Sequence, residues 1–256
     1  MAKRKKKAER SYGRPGPDAV AVESGPAGGT ANSLWQGVKS LLLALVLFLF
    51  LRSFVIQNFV ITSGSMERTL LVGDFLMVNR VGLGSRIPFT HTLIPGYSEP
   101  HRFDVIVFDP PHEQNLKLVK RLIGMPGDTL EMKEQVLYIN GEAVDEPYVQ
   151  HDGSGDEVMP WMEWQRDYVV LDPGQNPADY RPTRDNWGPL LVPPDRYFML
   201  GDNRDSSFDS RYWGLLERWR LEGRAVFIYF SYNKESERPF SFLREIRWDR
   251  IGNSIR

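Results

Sequence analysis

The sequence predicts a mainly β fold that is preceded by one transmembrane helix. Short apolar runs bounded by Gly, Pro or Asp predict buried strands, most clearly at Phe75–Val78, Asp104–Phe108 and Leu116–Gly124. Val136–Ile139 is followed by Asn140–Gly141, a composition typical of a β-hairpin turn. Because no long amphipathic helical pattern interrupts these runs, we do not expect helices to dominate the fold.

The composition limits the possible functions. At 256 residues, the chain can hold one sizeable domain, or one domain with an insertion, together with tails. The formal net charge of -1 gives no indication of a nucleic-acid partner. Cysteine is absent, which excludes thiol catalysis, disulfide bonds and thiolate zinc sites for this chain.

Residues 1–33 are predicted to form a disordered basic tail. Six Lys and Arg residues occur within Met1–Arg10, and Ser11–Ser33 is rich in Gly, Pro, Ala and Ser. Such a composition buries too little apolar surface to offset the loss of chain entropy. Positive charge before an apolar segment also predicts that this tail stays in the cytoplasm.

Residues 34–56 are predicted to form a transmembrane anchor. Leu41–Leu51 is an uninterrupted apolar run, although it is shorter than the roughly 20 residues that a bilayer core requires. Apolar neighbours extend it on both sides, and Lys39 and Arg52 can place their charges at the headgroups. A cleaved signal peptide is the alternative. We favour an uncleaved anchor, because an n-region of about 40 residues is long for a signal peptide. Ser63-Gly64-Ser65 resembles a small-x-small cleavage site, but cleavage there would remove a serine that is a candidate for catalysis.

That serine lies in Ile61–Leu70, which reads ITSGSMERTL. Ser-Gly-Ser marks a turn far more often than a nucleophile, so this stretch alone does not establish any chemistry. Phe59 and Ile61 predict a strand that runs into an exposed loop, which suits the presentation of a hydroxyl group. We therefore interpret Ser65 as the candidate nucleophile.

Lys120 is the candidate general base. Strand alternation places it with Leu118 and Leu122 on a face that we expect to be buried, whereas Val119 and Arg121 lie on the opposite face. The alternative is an edge lysine whose charge reaches solvent. Burial lowers the pKa of a lysine from about 10.4. The resulting neutral amine can take the proton of a serine hydroxyl without a histidine.

Two histidines raise the alternative of a Ser-His-Asp triad. His91 and His101 could each combine with Asp104. Both lie in polar loop sequence with no further support for a catalytic role. We therefore interpret them as loop histidines.

A third polar segment is Gly201–Gly214, which reads GDNRDSSFDSRYWG. Taken alone, it has the composition of a hydrated loop or a calcium-binding loop. An EF-hand alignment that starts at Asp205 fails, because Ser210 occupies the position of the required Gly and Leu216 that of the required Glu.

Four blocks together resemble the type I signal peptidases, membrane-anchored serine proteases that remove signal peptides. In the family's order after an N-terminal anchor, they are SGSM at 63–66, the strand at 73–80, KRLIGMPGD at 120–128 and GDNRDSSFDSRYWG at 201–214. The resemblance extends over about 34–230. It implies an antiparallel β-sheet or partial barrel as the catalytic core, built from residues 57–130 and 195–256. A smaller β and loop subdomain is inserted at 131–194.

The resemblance assigns the nucleophile to Ser65 and the general base to Lys120. Ser63 matches the side chain that stabilises the oxyanion, together with the backbone N–H of Ser65. The implied reaction forms an acyl-enzyme that water resolves. No metal or organic cofactor is implied.

Other positions match supporting residues of the family. Ser207 matches the residue that hydrogen-bonds and orients the lysine amine, and Asp209 and Arg211 match an ion pair near the site. A neutral hydroxyl suits this position, because a carboxylate beside the amine would raise its pKa. The chain departs from the family at Thr62 and Arg68, where proline is usual, which puts the rigidity of this loop in doubt.

The implied substrate is a secretory preprotein with small residues at the first and third positions before the cleaved bond. It would bind in an extended conformation and pair with strands beside the site. The matching pocket positions carry apolar side chains, for which core packing is the alternative role. These positions are Ile61, Met66, Leu70 and Val119 for the first pocket, and Phe59, Leu76 and Val107 for the other.

The same resemblance predicts the protein's surroundings. We expect a single-pass protein of the inner (plasma) membrane, with its N-terminus in the cytoplasm and its catalytic domain on the outer or periplasmic side. The expected partners are preproteins, the lipid bilayer and, transiently, the export machinery. No nucleic-acid partner is expected.

Two other functions stay open. A self-cleaving repressor-type protease shares Ser/Lys chemistry, although the anchor and the lack of a DNA-binding segment argue against it. An inactive, membrane-anchored, β-rich binding or scaffold protein would require Ser65 or Lys120 to be unsuitable for chemistry.

Overall fold

The computed structural model describes residues 29–50, 56–86, 93–113 and 116–256. It divides into two compact units, Met1–Leu47 and Phe48–Arg256.

The first unit contains most of helix α1, which spans Gly29–Phe50. Residues 29–33 therefore belong to this helix, although the sequence predicted disorder up to residue 33. The difference arises because a helix, once nucleated in an apolar run, gains one hydrogen bond for each residue that it adds. Residues 1–28 of the predicted tail lie outside the described residues.

Many apolar side chains of α1, among them Leu41 and Leu43, are exposed. Within the described part of the chain, no helix combines the length and the apolarity needed to cross a bilayer. Residues 51–55 of the predicted anchor lie outside the described residues. The transmembrane anchor therefore stays a prediction.

The second unit is mainly β. In the order of the chain, its strands are β1 Ile56–Val60, β2 Asp74–Asn79, β3 Gly84–Arg86, β4 Leu93–Pro95, β5 Val105–Phe108, β6 Leu118–Gly124, β7 Thr129–Lys133, β8 Val136–Ile139, β9 Glu142–Ala143, β10 Trp187–Leu191, β11 Arg196–Leu200, β12 Leu216–Glu217 and β13 Leu221–Ser231. Its short α-helices are α2 Arg80–Leu83, α3 Ser210–Trp213 and α4 Ser241–Arg244. Its 3-10 segments are Gly64–Met66, Pro160–Asp167, Pro177–Asp179, Arg218–Arg220 and Trp248–Arg250.

The largest sheet has seven strands in the order β1-β2-β13-β5-β6-β11-β12. All of its strand pairs are antiparallel. Strand β5 lies inside the sheet and is buried along its whole length, as its continuous Val-Ile-Val-Phe run predicts. The prediction of a mainly β, antiparallel fold is therefore confirmed.

A second sheet has four strands in the order β10-β7-β8-β9. Strands β8 and β9 form the hairpin predicted at Asn140–Gly141, where φ is 54° and 83°. These positive φ values are those that a two-residue type I′ turn requires, and Asn and Gly tolerate them best. Most of this sheet falls within residues 131–194. The treatment of that range as a separate subdomain stays a prediction.

Buried apolar residues form three clusters around the large sheet. The first contains the side chains of the second sheet, including Leu130 and Trp187, packed against Phe198 of β11. The second contains Met66 and Leu70, which follow the candidate nucleophile. The third contains residues of β5, β6 and β11 that share a face with Lys120, namely Ile106, Phe108, Leu122 and Met199.

Candidate active site

Ser65 lies in the one-turn 3-10 segment Gly64–Met66, between β1 and β2. The turn is closed by a hydrogen bond from Glu67 N to Gly64 O, at 2.9 Å. The Ser65 carbonyl accepts a hydrogen bond of 3.1 Å from the backbone of Asn203, in the GDNRD segment. Met66 is buried in the apolar cluster below. The nucleophile turn is therefore held from both the sheet and the loop that follows β11.

Lys120 lies in β6, between β5 and β11. It stands opposite Ile106 of β5, while the pairing of β11 with β6 ends one residue away, at Leu200 opposite Arg121. The departure of β11 leaves room over Lys120 for the chain that carries Ser65. Only 2% of Lys120 is exposed, so the predicted burial is confirmed. Its Nζ atom hydrogen-bonds to Ser65 Oγ.

The protonation of Lys120 is set by this burial. Desolvation lowers the pKa of Lys120 to about 8, against the opposing effects of the nearby carboxylates Asp209 and Asp202. The guanidinium of Arg211 lowers the same pKa further. At pH 7, about one molecule in ten then carries a neutral amine, far more than for a free lysine.

Ser63 lies on the solvent side of the nucleophile. Its hydroxyl oxygen is 3.4 Å from Ser65 Oγ, and its own backbone is extended, with φ at -132°. The Gly64 carbonyl between them accepts a hydrogen bond of 3.3 Å from the Asn203 side chain. The predicted oxyanion donor is therefore adjacent to the hydroxyl that would attack.

Asp209 and Arg211 form a fully buried, two-point ion pair. Arg211 donates to the two carboxylate oxygens at 2.9 and 2.8 Å, and Asp209 also accepts from Gly201 N at 3.1 Å. Burial would raise the pKa of Asp209, but the charge and hydrogen bonds of Arg211 outweigh it, and the pKa is lowered. Asp209 therefore remains a carboxylate whose charge is balanced locally.

Ser207 lies in the same loop, and its hydroxyl is buried beside Asp209, where its hydrogen bond helps to lower the pKa of that carboxyl. The hydroxyl packs against Gly201, where a Cβ atom would lie 2.1 Å from Ser207 Oγ and 2.5 Å from the Ser65 carbonyl. Only glycine allows this close approach. The orienting role predicted for Ser207 stays a prediction.

A second buried ion pair was not predicted from the sequence. Arg121, next to Lys120, donates to both carboxylate oxygens of Asp202 at 2.8 and 2.6 Å. Asp202 also accepts from the Thr69 hydroxyl, and the guanidinium of Arg121 stacks 3.8 Å from the ring centre of Tyr148. This pair joins the strand of Lys120 to the chain that follows Ser65.

Comparison with known proteins identifies the family. A family model described as signal peptidase, peptidase S26, matches residues 34–230. The chain belongs to this family. A signal peptidase I from Pseudomonas aeruginosa is 38% identical over 209 residues, which cover 76% of this chain and 72% of that protein. One from Bacillus licheniformis is 34% identical over 204 residues, covering 79% and 92%.

Among solved structures, a signal peptidase I from Enterococcus faecalis V583 shares 32% identity, covers 50% of this chain and 97% of that one, and has a TM-score of 0.33. The family assignment rests on the sequence matches. The predicted resemblance to the signal peptidases, and with it the class of serine endopeptidase, is confirmed.

The residues predicted to line the substrate pockets lie together beneath the nucleophile turn. All of them belong to one apolar cluster or pack against it, with Ile61, Met66, Leu70, Leu76 and Val107 buried and Phe59 and Val119 partly buried. Their role in substrate specificity stays a prediction, since the same contacts also serve the core.

Among the described residues, no histidine hydrogen-bonds to Ser65 to form the alternative triad. His101 is exposed, and its Nδ1 atom is 2.9 Å from Arg224 and 3.8 Å from Asp104. His91 lies outside the described residues. Among the residues that the structure describes, the side chains that hydrogen-bond to Ser65 Oγ are those of Lys120 and Ser63. In the same described part, no cluster of three or more His, Asp or Glu side chains is arranged to hold a metal.

Arg68 adopts a backbone conformation that proline cannot adopt. Its φ is 79°, whereas the proline ring fixes φ near about -65°. Its side chain donates to the Val149 carbonyl at 2.9 Å, which ties the loop to the chain after β9. The absence of the family's usual proline therefore follows from the backbone that this loop adopts.

We predict that Arg68→Pro will destabilise the loop, because the substitution forces a change of φ next to the nucleophile turn. The free energy of unfolding, measured by denaturant titration, should fall by about 1–3 kcal/mol, and peptide cleavage should fall with it. Arg68→Gly is the control, since glycine adopts this φ freely, and it should stay within about 1 kcal/mol of wild type. Equal stability of the proline variant and wild type would contradict the conclusion that this loop requires a positive φ at residue 68.

We also predict that Lys120→Met will stabilise the protein at pH 7 while abolishing activity. The folded-state pKa of about 8 lies below the ordinary 10.5, so folding penalises the ammonium. At about 1.36 kcal/mol per pKa unit, removing the charge should raise the free energy of unfolding by up to about 3 kcal/mol. The control Lys133→Met, at a lysine side chain that is 60% exposed, should change it little.

The pH dependence of the difference provides the check. Between pH 8 and 10.5 the unfolded chain binds a proton at residue 120 that the folded chain does not, so wild-type stability should rise with pH. The difference in the free energy of unfolding between wild type and Lys120→Met should therefore disappear over this interval. If this difference is absent at pH 7, or does not change with pH, burial does not penalise the Lys120 ammonium.

Proposed function

We propose that this protein is a membrane-bound serine endopeptidase that cleaves N-terminal signal peptides from secretory preproteins after small-x-small motifs. Its relatives carry the name signal peptidase I. One observation carries the chemistry: the buried amine of Lys120, with a pKa lowered to about 8, hydrogen-bonds to the hydroxyl of Ser65. This arrangement provides a nucleophile and a base in contact, without histidine or metal.

Acylation begins with a neutral Lys120. The amine takes the proton of Ser65 Oγ as this oxygen attacks the carbonyl carbon of the scissile peptide bond. The carbonyl oxygen becomes an oxyanion, which the Ser63 hydroxyl and the backbone N–H of Ser65 stabilise. The Lys120 ammonium then gives its proton to the leaving amine, and the peptide bond breaks. The signal peptide remains as an ester on Ser65.

Deacylation repeats these steps with water. Lys120, neutral again, takes a proton from a water molecule as it attacks the ester carbonyl. The second tetrahedral intermediate uses the same oxyanion donors. Lys120 returns the proton to Ser65 Oγ as the ester bond breaks. The signal peptide leaves with a carboxylate, and the enzyme is restored.

We assign a supporting role to the loop that follows β11. The Asp209–Arg211 pair holds the loop through the Gly201 backbone, and places Ser207 beside the site. Because Asp209 is paired with Arg211, its charge raises the pKa of Lys120 less than burial lowers it. The hydroxyl of Ser207 is buried and carries no charge, so it can orient the amine without raising its pKa as a carboxylate would.

The substrate is a preprotein segment in extended conformation. The free edge of β6 before Arg121, where β11 does not pair, provides backbone groups for a β-type pairing with this segment. The apolar residues beneath Ser65 would form the two specificity pockets, in which large walls leave space for Ala-sized side chains. Of these residues, Val119 lies on the free edge of β6, and Ile61 and Met66 lie beside the nucleophile.

We propose that the N-terminal segment anchors this unit in the inner (plasma) membrane. The basic residues of Met1–Arg10 would hold the N-terminus in the cytoplasm, and the catalytic unit would lie on the outer or periplasmic side. Ser65 follows Leu51 by fourteen residues, a reach of at most about 50 Å. A transient association with the export machinery would then bring preproteins to the site.

The test uses the full chain in phospholipid vesicles, with a preprotein that carries an Ala-x-Ala site. Ser65→Ala and Lys120→Met should each lower the cleavage rate by at least about 10³-fold, since each removes one half of the reacting pair. Lys133→Met, which removes an exposed lysine of β7, should cleave at the wild-type rate. Undiminished cleavage by Ser65→Ala would refute the proposed nucleophile.

The pH dependence belongs to the same test. Only the neutral amine can accept the serine proton, so kcat/KM, which reports the free enzyme, should be low below the pKa of Lys120 and should rise with a midpoint at about 8. A rate that is independent of pH between 6 and 9 would exclude Lys120 as the base.

A further inference from the structure

The C-terminal residues pack against the catalytic sheet, beyond residue 230 where the family match ends. They run beside β13 and form isolated bridges to it, Phe227 with Ser254 and, past its end, Tyr232 with Ile246. Gly252 N also donates to the Ile228 carbonyl at 2.8 Å. This fixed course places the 3-10 segment Trp248–Arg250 next to the start of β2.

Arg250 is the residue of this segment that reaches the chain after the nucleophile. Its guanidinium donates to both carboxylate oxygens of Asp74, at 3.0 and 2.5 Å, and to the Thr69 carbonyl at 3.0 Å. The Arg250 side chain is 15% exposed, and that of Asp74 is fully buried. Asp74 also accepts from the Ser231 hydroxyl and the Leu71 N–H, at 2.6 and 2.8 Å. One side chain therefore joins the two ends of the turn from Thr69 to Asp74.

This turn closes the loop that presents Ser65. On one side, the Thr69 N–H bonds to the Met66 carbonyl at 3.1 Å, directly after the nucleophile. On the other side, Ile61 and Asp74 meet through the bond from Ile61 N to Asp74 O, at 2.9 Å. Ser65 thus lies on a loop that the Ile61–Asp74 pair closes at its base. Arg250 holds the part of this loop that runs from Ser65 back to β2.

Thr69 is also connected to the lysine side of the site. Its hydroxyl donates to Asp202, which is ion-paired with Arg121, the neighbour of Lys120 in β6. Its carbonyl is held by Arg250 on the opposite side. The position of Thr69, and with it the nucleophile turn, is therefore fixed between the C-terminal segment and the strand of the base.

We propose that Arg250 is a positioning residue for the peptidase reaction, which sets the place of the Ser65 hydroxyl relative to the Lys120 amine. It acts through Thr69 and Asp74 and does not contact the reacting atoms. The inference rests on the proposed function. It follows from a general property of enzymes, in which a displacement of about 1 Å between reacting groups can cost about 10²-fold in rate.

The guanidinium of arginine suits this role better than the ammonium of lysine. Its planar fork donates to a carboxylate and a carbonyl at the same time, whereas a lysine ammonium is a point charge on a flexible stem. Arg250→Lys would therefore keep the charge opposite Asp74 but lose the simultaneous contact with Thr69. This separates the positioning role from simple charge balance.

The experiment compares Arg250→Gln and Arg250→Lys with wild type, as full chains in phospholipid vesicles, on the same preprotein. We expect kcat to fall about 10- to 100-fold in both variants while KM changes less than about twofold, because substrate contacts are intact. The control is Arg238→Gln on the same segment. It removes a 2.9 Å pair with Glu245 from an arginine that is 76% exposed and does not contact the loop, so it should keep the wild-type kcat.

Thermal unfolding, followed in parallel, establishes that each variant is folded at the assay temperature. If Arg250→Gln does not fold, Arg250→Lys decides by the same criterion, since it leaves no unpaired buried carboxylate. A kcat within twofold of wild type in a folded Arg250 variant overturns the inference, and so does a rise in KM with kcat retained. Failure of wild type itself to cleave would instead contradict the proposed function. The positioning role of Arg250 and the proposed function therefore fail by different results.

Discussion

The site depends on one buried amine that must remain without a strong partner of opposite charge. Lys120 lies among two carboxylates and two guanidinium groups, and each carboxylate is bound by its own arginine, Asp209 by Arg211 and Asp202 by Arg121. The carboxylates raise the pKa of Lys120, yet burial lowers it more. If either arginine were absent, the charge of its carboxylate would be uncompensated and would raise the pKa of Lys120.

The fold meets this requirement by joining distant parts of the chain. Strand β6 is buried between β5 and β11, which desolvates the amine, and β11 leaves the sheet beside Lys120 so that the nucleophile turn can lie over it. The loop after β11 then packs against the back of this turn, where Gly201 leaves space for Ser207 and the Ser65 carbonyl. Close packing here serves chemistry, because the burial of Lys120 lowers its pKa and so favours the neutral amine.

Local patterns predicted the reacting pair but not its surroundings. The alternation of Leu118, Lys120 and Leu122 was sufficient to predict the burial of Lys120, and the resemblance to the signal peptidases assigned Ser65 as the nucleophile. The same alternation assigned Arg121 to the opposite face but did not predict its complete burial, since Asp202 and Tyr148, which cover it, are distant in sequence. No residue pattern predicted a role for Arg250, because its partners Asp74 and Thr69 are more than 170 residues away in sequence. The left-handed backbone at Arg68 likewise follows from tertiary contacts that no residue pattern encodes.

The most direct measurement of the central claim is the titration of the Lys120 side chain itself. Selectively labelled lysine in the full chain, followed by NMR between pH 6 and 11 and assigned with Lys120→Met, reports the protonation of this amine without substrate. We expect a midpoint at about 8, separated from those of the exposed lysines. A midpoint near 10.5 would show that the amine is an ammonium at neutral pH, and would contradict its assignment as the base.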